Sequence, residues 1–591
     1  MENEKLMTWD LNALYPDTEA WEKDFALLPE YAAEFYTYRG KLDRSPETLK
    51  SAIECYDKLD RLSDKLYTYA HLLADENTAI GKNRARVDRI SAKLSELSEL
   101  ETWFDPEIMA IPDERMQELL NSPQLAFYRR SLEELLREKP HTLSEAEERL
   151  IGTLGDVLGS SDEIFSTLND TDLEFGNIRN SKGELTTLDH GSWHNFMEEP
   201  DRAVRKKAFH KLYSQYRRYR NTFAGTLDGT VKRHVTMAKI RHFSSPLEAA
   251  LFSENIPVDI YNNLIASVRK NIPALTGYFQ LRKEVMQLDK LDMYDLYAPL
   301  TPEVDQSCSF EKAQTLIKNA LAPLGEEYAQ LLNKAWQERW IDAPCRKGKR
   351  SGAYSGGCYD SYPYILMSYN NSLSDVFTLA HELGHSMHSA FSRANQHFHY
   401  AGYEIFVAEV ASTCNELLLS RYLLDNENDP MVKAAICTRL ADDIRATVFR
   451  QTMFAEFEKS IHEDSANGIP LTADHLSEKY YRLNAEYHTN IKADKDIELE
   501  WARIPHFYYN FYVYKYATGM SAALKVARGI LSGSSDARER YLRFLKAGGS
   551  KDVLDILKDA GADLTSPEPI DEALQFFRET VDDLRQALAG K

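Results

Sequence analysis

The chain has 591 residues, 43% hydrophobic and 28% charged, which is the composition of a globular protein and not of a disordered or collagen-like one. Asp and Glu number 92 against 71 Lys and Arg, a net charge of −21, and a surface of that sign repels phosphate backbones and anionic lipid. Nucleic acid and membrane surfaces are therefore disfavoured as partners, and the length suggests roughly four domain-sized units.

The N-terminal stretch MENEKLMTWDLNALYPDTEAWEKDF is acidic and lacks the basic and apolar regions of a signal peptide. Between about 30 and 150, Leu59, Leu62 and Leu66, then Val87, Ile90, Leu94, Leu97, Glu101 and Phe104, recur at helical spacing. A bundle of long antiparallel helices is expected there, with breaks near Pro106, Pro112 and Pro140. Phe175–Leu188 alternates around Asn180-Ser181-Lys182-Gly183, which predicts a small hairpin. A second helical block spans about 200 to 345, interrupted at Ser244-Ser245-Pro246 and Thr301-Pro302. Arg346–Gly357 is basic and glycine-rich, lacks the P-loop pattern, and reads as a mobile loop. Tyr362–Tyr369 reads as a strand, and helix resumes from Ser372 to the end. The six cysteines form no CxxC pair and read as free thiols of a reducing compartment; no run of 18 apolar residues occurs, so the cytoplasm is the expected location.

The chemistry concentrates at His381-Glu382-Leu383-Gly384-His385, an HExxH string for which chance predicts only about 0.04 occurrences in a chain with this many histidines. Val376, Leu379, Leu383 and Met387 form an apolar stripe around it, and Ser372 with Asp375 offers a capping box. On such a helix His381 and His385 lie one turn apart and about 40° in direction, so both imidazoles can meet one zinc ion. Glu382, about 100° around, is placed to reach a water beside that ion without being a ligand. A metzincin is excluded, because His388 and Phe391 stand where Gly and His are required. The third ligand is then a carboxylate, Glu404 or Glu409. Glu404 has the 19-residue spacing of the zinc aminopeptidases. Glu409 shares a helix face with Glu416, seven residues on, which supplies a ligand with a supporting carboxylate and favours Glu409.

The segments GKRSGAYSGGCYDSYPYILMSYNNSLSDVFTLAHELGHSMH, FVAEVASTCNE and IPHFYYNFYVYKYATG together resemble the oligoendopeptidase F family, relatives of thimet oligopeptidase. The resemblance implies a mainly α fold of two helical halves enclosing a deep channel, with a small β element next to the zinc helix and one zinc on the channel floor. It implies unstructured oligopeptides as substrates, zinc ligands at His381, His385 and Glu409, and a general base at Glu382. Glu416 falls on the acidic position beyond the third ligand. It also implies oxyanion donors at His506 and at tyrosines that follow it, Tyr514 first and Tyr509 second.

The corresponding division is an N-terminal helical domain, 1–195, and a catalytic domain, 196–591. His388 reads as a partner of the ligand histidines, and His397 and His399 as a surface loop. Cys358 and Cys414 read as small buried side chains, and Tyr362–Tyr369 as a strand able to pair with an extended peptide. A carboxypeptidase is the nearest rival, since the GxMEN string of zinc aminopeptidases is missing; an inactive peptide-binding protein is disfavoured by the intact Glu382.

Overall fold

Helix starts in this chain are marked by oxygen-bearing side chains. Ser45 accepts from the Thr48 N–H ahead of a helix beginning at Pro46, Asp201 accepts from Ala203, and Ser372 closes a reciprocal capping box with Asp375. Each bond satisfies a backbone donor that the first helical turn leaves without an internal partner. The computed structural model describes residues 7–301 and 307–589, and the fold is mainly α. The helices that matter below are α1 (Pro46–Glu76), α2 (Gly81–Glu101), α3 (Arg202–Ile240), α4 (Leu373–Asn395), α5 (Ile405–Asn426), α6 (Pro430–Ile444), α7 (Arg450–Ala466), α8 (Tyr514–Leu531) and α9 (Glu568–Ala589). Short strands are β1 (Asn177–Arg179), β2 (Leu185–Thr187), β3 (Ile341–Pro344), β4 (Tyr354–Gly356) and β5 (Tyr364–Tyr369).

The chain divides into two compact units that interleave in sequence. One comprises Met1–Pro140, Gln306–Leu419 and Gly529–Ala560; the other comprises His141–Asp305, Ser420–Arg528 and Gly561–Lys591. The boundary expected at 195/196 does not coincide with either. Apolar helix faces find partners by complementarity and not by chain order, so α9 closes onto α6 within the second unit.

In the first unit, Leu59 and Leu66 of α1 and Ile90 and Leu97 of α2 are buried with Trp9, Trp21 and the β5 residues Tyr364 and Leu366. A second cluster gathers Phe35, Leu49, Ile53, Phe104 and Leu119. The prolines act locally: Pro106 sits in the first turn of the helix Phe104–Met109, Pro112 precedes Asp113–Leu120, and Pro140 lies in a 3-10 turn. The sheet has the order β3-β5-β4, with β3 parallel and β4 antiparallel to β5. The strand expected at Tyr362–Tyr369 therefore exists as β5, but both its edges are already paired. It has no free edge for a peptide; the edge strands of this sheet are β3 and β4.

Arg346–Gly357 differs from the mobile loop expected of it. Its last residues form β4, and two of its cations, Arg346 and Lys349, are pinned to Asp342, which is fully buried, while Arg350 pairs with Asp75. Lys349 Nζ lies 2.7 Å from Asp342 Oδ1 and donates to the Pro344 carbonyl at 3.0 Å, while Arg346 makes a two-pronged bond to the same carboxylate. A basic segment looks solvated in sequence because the acid that pairs it lies outside the segment.

In the second unit α3 packs along α7 and the 3-10 helix Lys495–Arg503, and Arg205 pairs with the buried Asp295 at 2.9 Å. The hairpin forms as expected, β1 against β2 with Ile178 opposite Thr186. The break at Ser244-Ser245-Pro246 is real: α3 ends at Ile240 and the next helix starts at Pro246. Pro302 lies outside the described residues.

Replacing Asp342 by Ala strands Lys349 without its counter-charge. The expected cost is about 3–5 kcal/mol, the usual consequence of removing one partner of a buried ion pair; an unchanged urea midpoint would contradict this.

Candidate metal centre

The four residues Val376, Leu379, Leu383 and Met387 are fully buried, which fixes the rotation of α4 and turns His381 and His385 to one side. The position of α5 is set by Gly384. A Cβ there would lie 2.4 Å from Ser412 Cα and 2.7 Å from the Ala411 carbonyl oxygen, so the two helix backbones touch at this point. That approach brings Glu409 to the histidines. His385 Nε2 is 3.2 Å from His381 Nε2, and Glu409 Oε2 is 3.5 and 3.7 Å from those two nitrogens.

Each donor atom is oriented from behind. His381 Nδ1 is bonded to Glu416 Oε1 at 2.6 Å, leaving Nε2 for the cluster, and His385 is hydrogen bonded to the main chain of Ala408. Burial lowers His385 to about 4, aided by His381, and keeps its imidazole neutral at pH 7. Burial also pulls His381 down, but the bond to Glu416 and the nearby carboxylates outweigh it and raise this group. Glu382 is buried beside the cluster and rises to about 7; burial is the main cause, with Glu409 adding to it and His381 opposing, and the Ser355 main chain bonds to it.

These three groups fit a metal ion. Donors about 2.0–2.1 Å from a common ion at tetrahedral angles stand about 3.3 Å apart, and the observed separations straddle that value. Two neutral imidazoles and one carboxylate are the donor set of catalytic zinc sites that keep one position open.

Comparison with known proteins decides the family. Peptidase family M3 matches residues 195–576, and Oligopeptidase F matches residues 107–175. This chain belongs to peptidase family M3. It is a metalloendopeptidase, a peptide-bond hydrolase. Oligopeptidase PepF of Bacillus subtilis is 43% identical over 98% of this chain and 87% of its own, and group B oligopeptidase PepB of Streptococcus agalactiae is 38% identical over 99% and 98%. The crystal structure of oligoendopeptidase-F from Enterococcus faecium superposes with a TM-score of 0.75 at 35% identity, covering 97% of this chain and all of that one.

The remaining site expectations fare unequally in this M3 peptidase. Glu404 is exposed just ahead of α5, apart from the histidine pair. His388 is buried and stacks on Tyr403 with ring centres 3.7 Å apart, so it supports the wall beside the ligands and bonds to none of them through Nδ1. His399 is not a free surface residue: it bridges Asp57 at 2.9 Å and Ser131 at 2.8 Å. Cys358 and Cys414 are buried, and burial pushes Cys414 up to about 12, which removes any thiolate role for it.

In the second unit His506 lies in the 3-10 turn Pro505–Tyr508, lowered by burial and then by Arg450 and so neutral at pH 7. Of the tyrosines that follow it, the hydroxyl bonded to His506 is that of Tyr516. Tyr514 is fully buried against Tyr261 in the interior, whereas Tyr516 OH lies 3.2 Å from His506 Nε2. Tyr509 is 56% exposed on the same turn. This placement follows from Asn510 and Phe511, both at positive φ, which break the helix before Tyr514 and reset its phase. No spacing rule over the tyrosines would have shown that. Gly384, by contrast, was within reach, since a glycine inside a helix costs about 1 kcal/mol and so implies a packing reason.

Two outcomes are expected from metal stoichiometry on dialysed protein. Glu409→Gln loses the bound metal while Glu404→Gln keeps it; the reverse pattern would break the assignment. Gly384→Ala, which cannot be housed without separating α4 from α5, also loses it.

Proposed function

We propose that this M3 peptidase is a zinc-dependent oligoendopeptidase that hydrolyses internal bonds of short, unstructured peptides. The observation that carries the reading is the convergence of His381 Nε2, His385 Nε2 and Glu409 Oε2 with a buried carboxylate, Glu382, alongside. Those three side chains would hold one zinc ion, which when bound acts as a Lewis acid and brings the pKa of water to about 7.

The protein's own groups supply the proton traffic. Glu382, raised to about 7 by burial, is matched to take a proton from the attacking water at its carboxylate and to pass it to the nitrogen of the departing amine. Glu416 holds His381 in the tautomer that presents Nε2. His506, neutral at pH 7, and Tyr516 take the oxyanion-donor role that the family resemblance gives to the histidine and the tyrosines after it, with Tyr509 as the further donor. The open edge of β4 offers main-chain groups to an extended peptide; Ser355 of that strand already bonds to Glu382. Recognition of that kind needs neither a free amine nor a free carboxylate, which favours an endopeptidase over a carboxypeptidase. No described helix is long and apolar enough to cross a membrane. Six unpaired cysteines suit a reducing compartment, and we place the enzyme in the cytoplasm.

The test is a digest of a doubly blocked nonapeptide beside native and denatured forms of one stable protein. Cleavage of the blocked peptide, sparing of the native form, and loss of activity to a chelator with recovery on adding zinc are expected; an uncut blocked peptide would refute the reading. Glu382→Gln should keep its metal and its peptide affinity while turnover falls about 10²–10⁴-fold, the usual worth of general acid–base catalysis. Near wild-type kcat in that variant would remove Glu382 from the mechanism.

A further inference from the structure

The second unit holds a small cavity of about 30 Å³, room for one or two water-sized bodies, with Trp193, Tyr297, Arg445, Arg450, Glu500 and Arg503 in its wall. The backbone departs from the α-helix to build it. Between α6 and α7 the chain makes one π turn, Arg445–Phe449, closed by the Arg450 N–H on the Arg445 carbonyl. On a continuous α-helix, residues five apart point about 140° away from each other. The wider turn sets Arg445 and Arg450 nearly one above the other, and both reach the cavity. Single π turns inside helices are rare and concentrate at functional sites.

The charges there do not balance. Arg450 donates to Glu500 at 2.7 Å, and Glu500 also accepts from the Tyr480 hydroxyl. Arg445 Nε donates to Asp442 at 2.9 Å, but Arg282, fully buried, draws on the same carboxylate at 3.3 Å. Arg503 has no carboxylate within ion-pair distance among the described residues. Its guanidinium lies 5.1 Å over the Trp193 ring and reaches the Tyr213 hydroxyl at 3.5 Å. Four guanidinium groups thus share two carboxylates. Arg445 is only 4% exposed, yet its terminal nitrogens bond to none of the described residues and keep surface on the cavity, the guanidinium lying 4.9 Å over the Tyr297 ring. Tyr297 feels the surplus. Burial pushes its phenol up, but Arg450, Arg445 and Arg503 outweigh burial and Glu500 and hold it below its ordinary value. Buried charges persist when they are paired, and this group is short of negative charge.

We propose that this cavity binds one small monovalent anion, a halide of chloride size, held by Arg445, Arg450 and Arg503 with the Tyr297 hydroxyl as a further donor. Size selects the class: a bare ion fits, whereas a phosphate or the carboxylate of a peptide brings atoms for which there is no room. Its bonds would be charge-assisted, the strong kind. Arg503 ends the 3-10 helix Lys495–Arg503 three residues before His506, and the field of Arg450 reaches His506, so the ion would brace the start of that turn. The proposal goes beyond the peptidase reading and does not depend on it.

The experiment uses the metal-loaded full chain in gluconate, an anion too large for the cavity, with chloride added at fixed ionic strength. Chloride is expected to fill one saturable site per chain, read as broadening of its NMR line, and bromide should compete. In Arg503→Gln and Arg445→Gln the chloride affinity should fall at least about tenfold, the usual worth of a hydrogen bond to a charged group. Lys206→Gln, at an exposed position of α3, should leave it unchanged. If Arg445→Gln does not fold, Arg503→Gln carries the test. Crystals grown with bromide should show an anomalous peak between the three guanidinium groups. Absence of a saturable chloride effect, a chloride effect that survives in Arg503→Gln, or ordered water alone at that place would overturn the proposal. So would a tyrosinate absorbance band at pH 7 that disappears in Tyr297→Phe, since the phenolate would then be the counter-charge itself.

Discussion

The contact of α4 with α5 at Gly384 is the constraint on which the metal cluster depends. Nitrogen and oxygen donors are useful to one ion only when they stand within about 4 Å of each other, and here that spacing is set by two helix backbones in direct touch. Any side chain at 384 would push α5 outward and take Glu409 with it. The cost of placing glycine in a helix is offset by the buried stripe of Val376, Leu379, Leu383 and Met387, which holds α4 rotationally while the opposite face does chemistry.

Around that contact, buried charges of the first unit are paired within it. Asp342 is paired by Lys349 and Arg346, His381 by Glu416, and Asp75 by Arg350. These pairings turn a glycine-rich basic segment into a fixed strand beside the metal helix. That strand, β4, is paired to β5 along one edge, and the main chain of its Ser355 bonds to Glu382.

The second unit solves a different problem, that of presenting a short polar turn from a helical body. His506 precedes two consecutive residues at positive φ, Asn510 and Phe511, a conformation that costs about 1–2 kcal/mol per non-glycine residue. Glu458 of α7 accepts from the Phe511 N–H at 2.6 Å, and the Phe511 ring lies on His462. The turn is held by its surroundings, and the start of α8 is displaced enough to bury Tyr514 and bring Tyr516 to His506.

By itself the sequence determined what local geometry and chemistry dictate. Caps at Ser45 and Ser372, the hairpin at 177–187, and the one-turn spacing of His381 and His385 depend only on neighbours within a few residues. The Glu409–Glu416 face is of the same kind, seven residues along one helix. Tertiary structure decided whatever depends on a partner distant in sequence: the sharing of Asp342 by Lys349 and Arg346, the two paired edges of β5, the interleaving of the units, and the phase of the tyrosines after His506. A period of 3.6 residues tells which side chains share a face, but what that face meets is settled by packing between segments hundreds of residues apart.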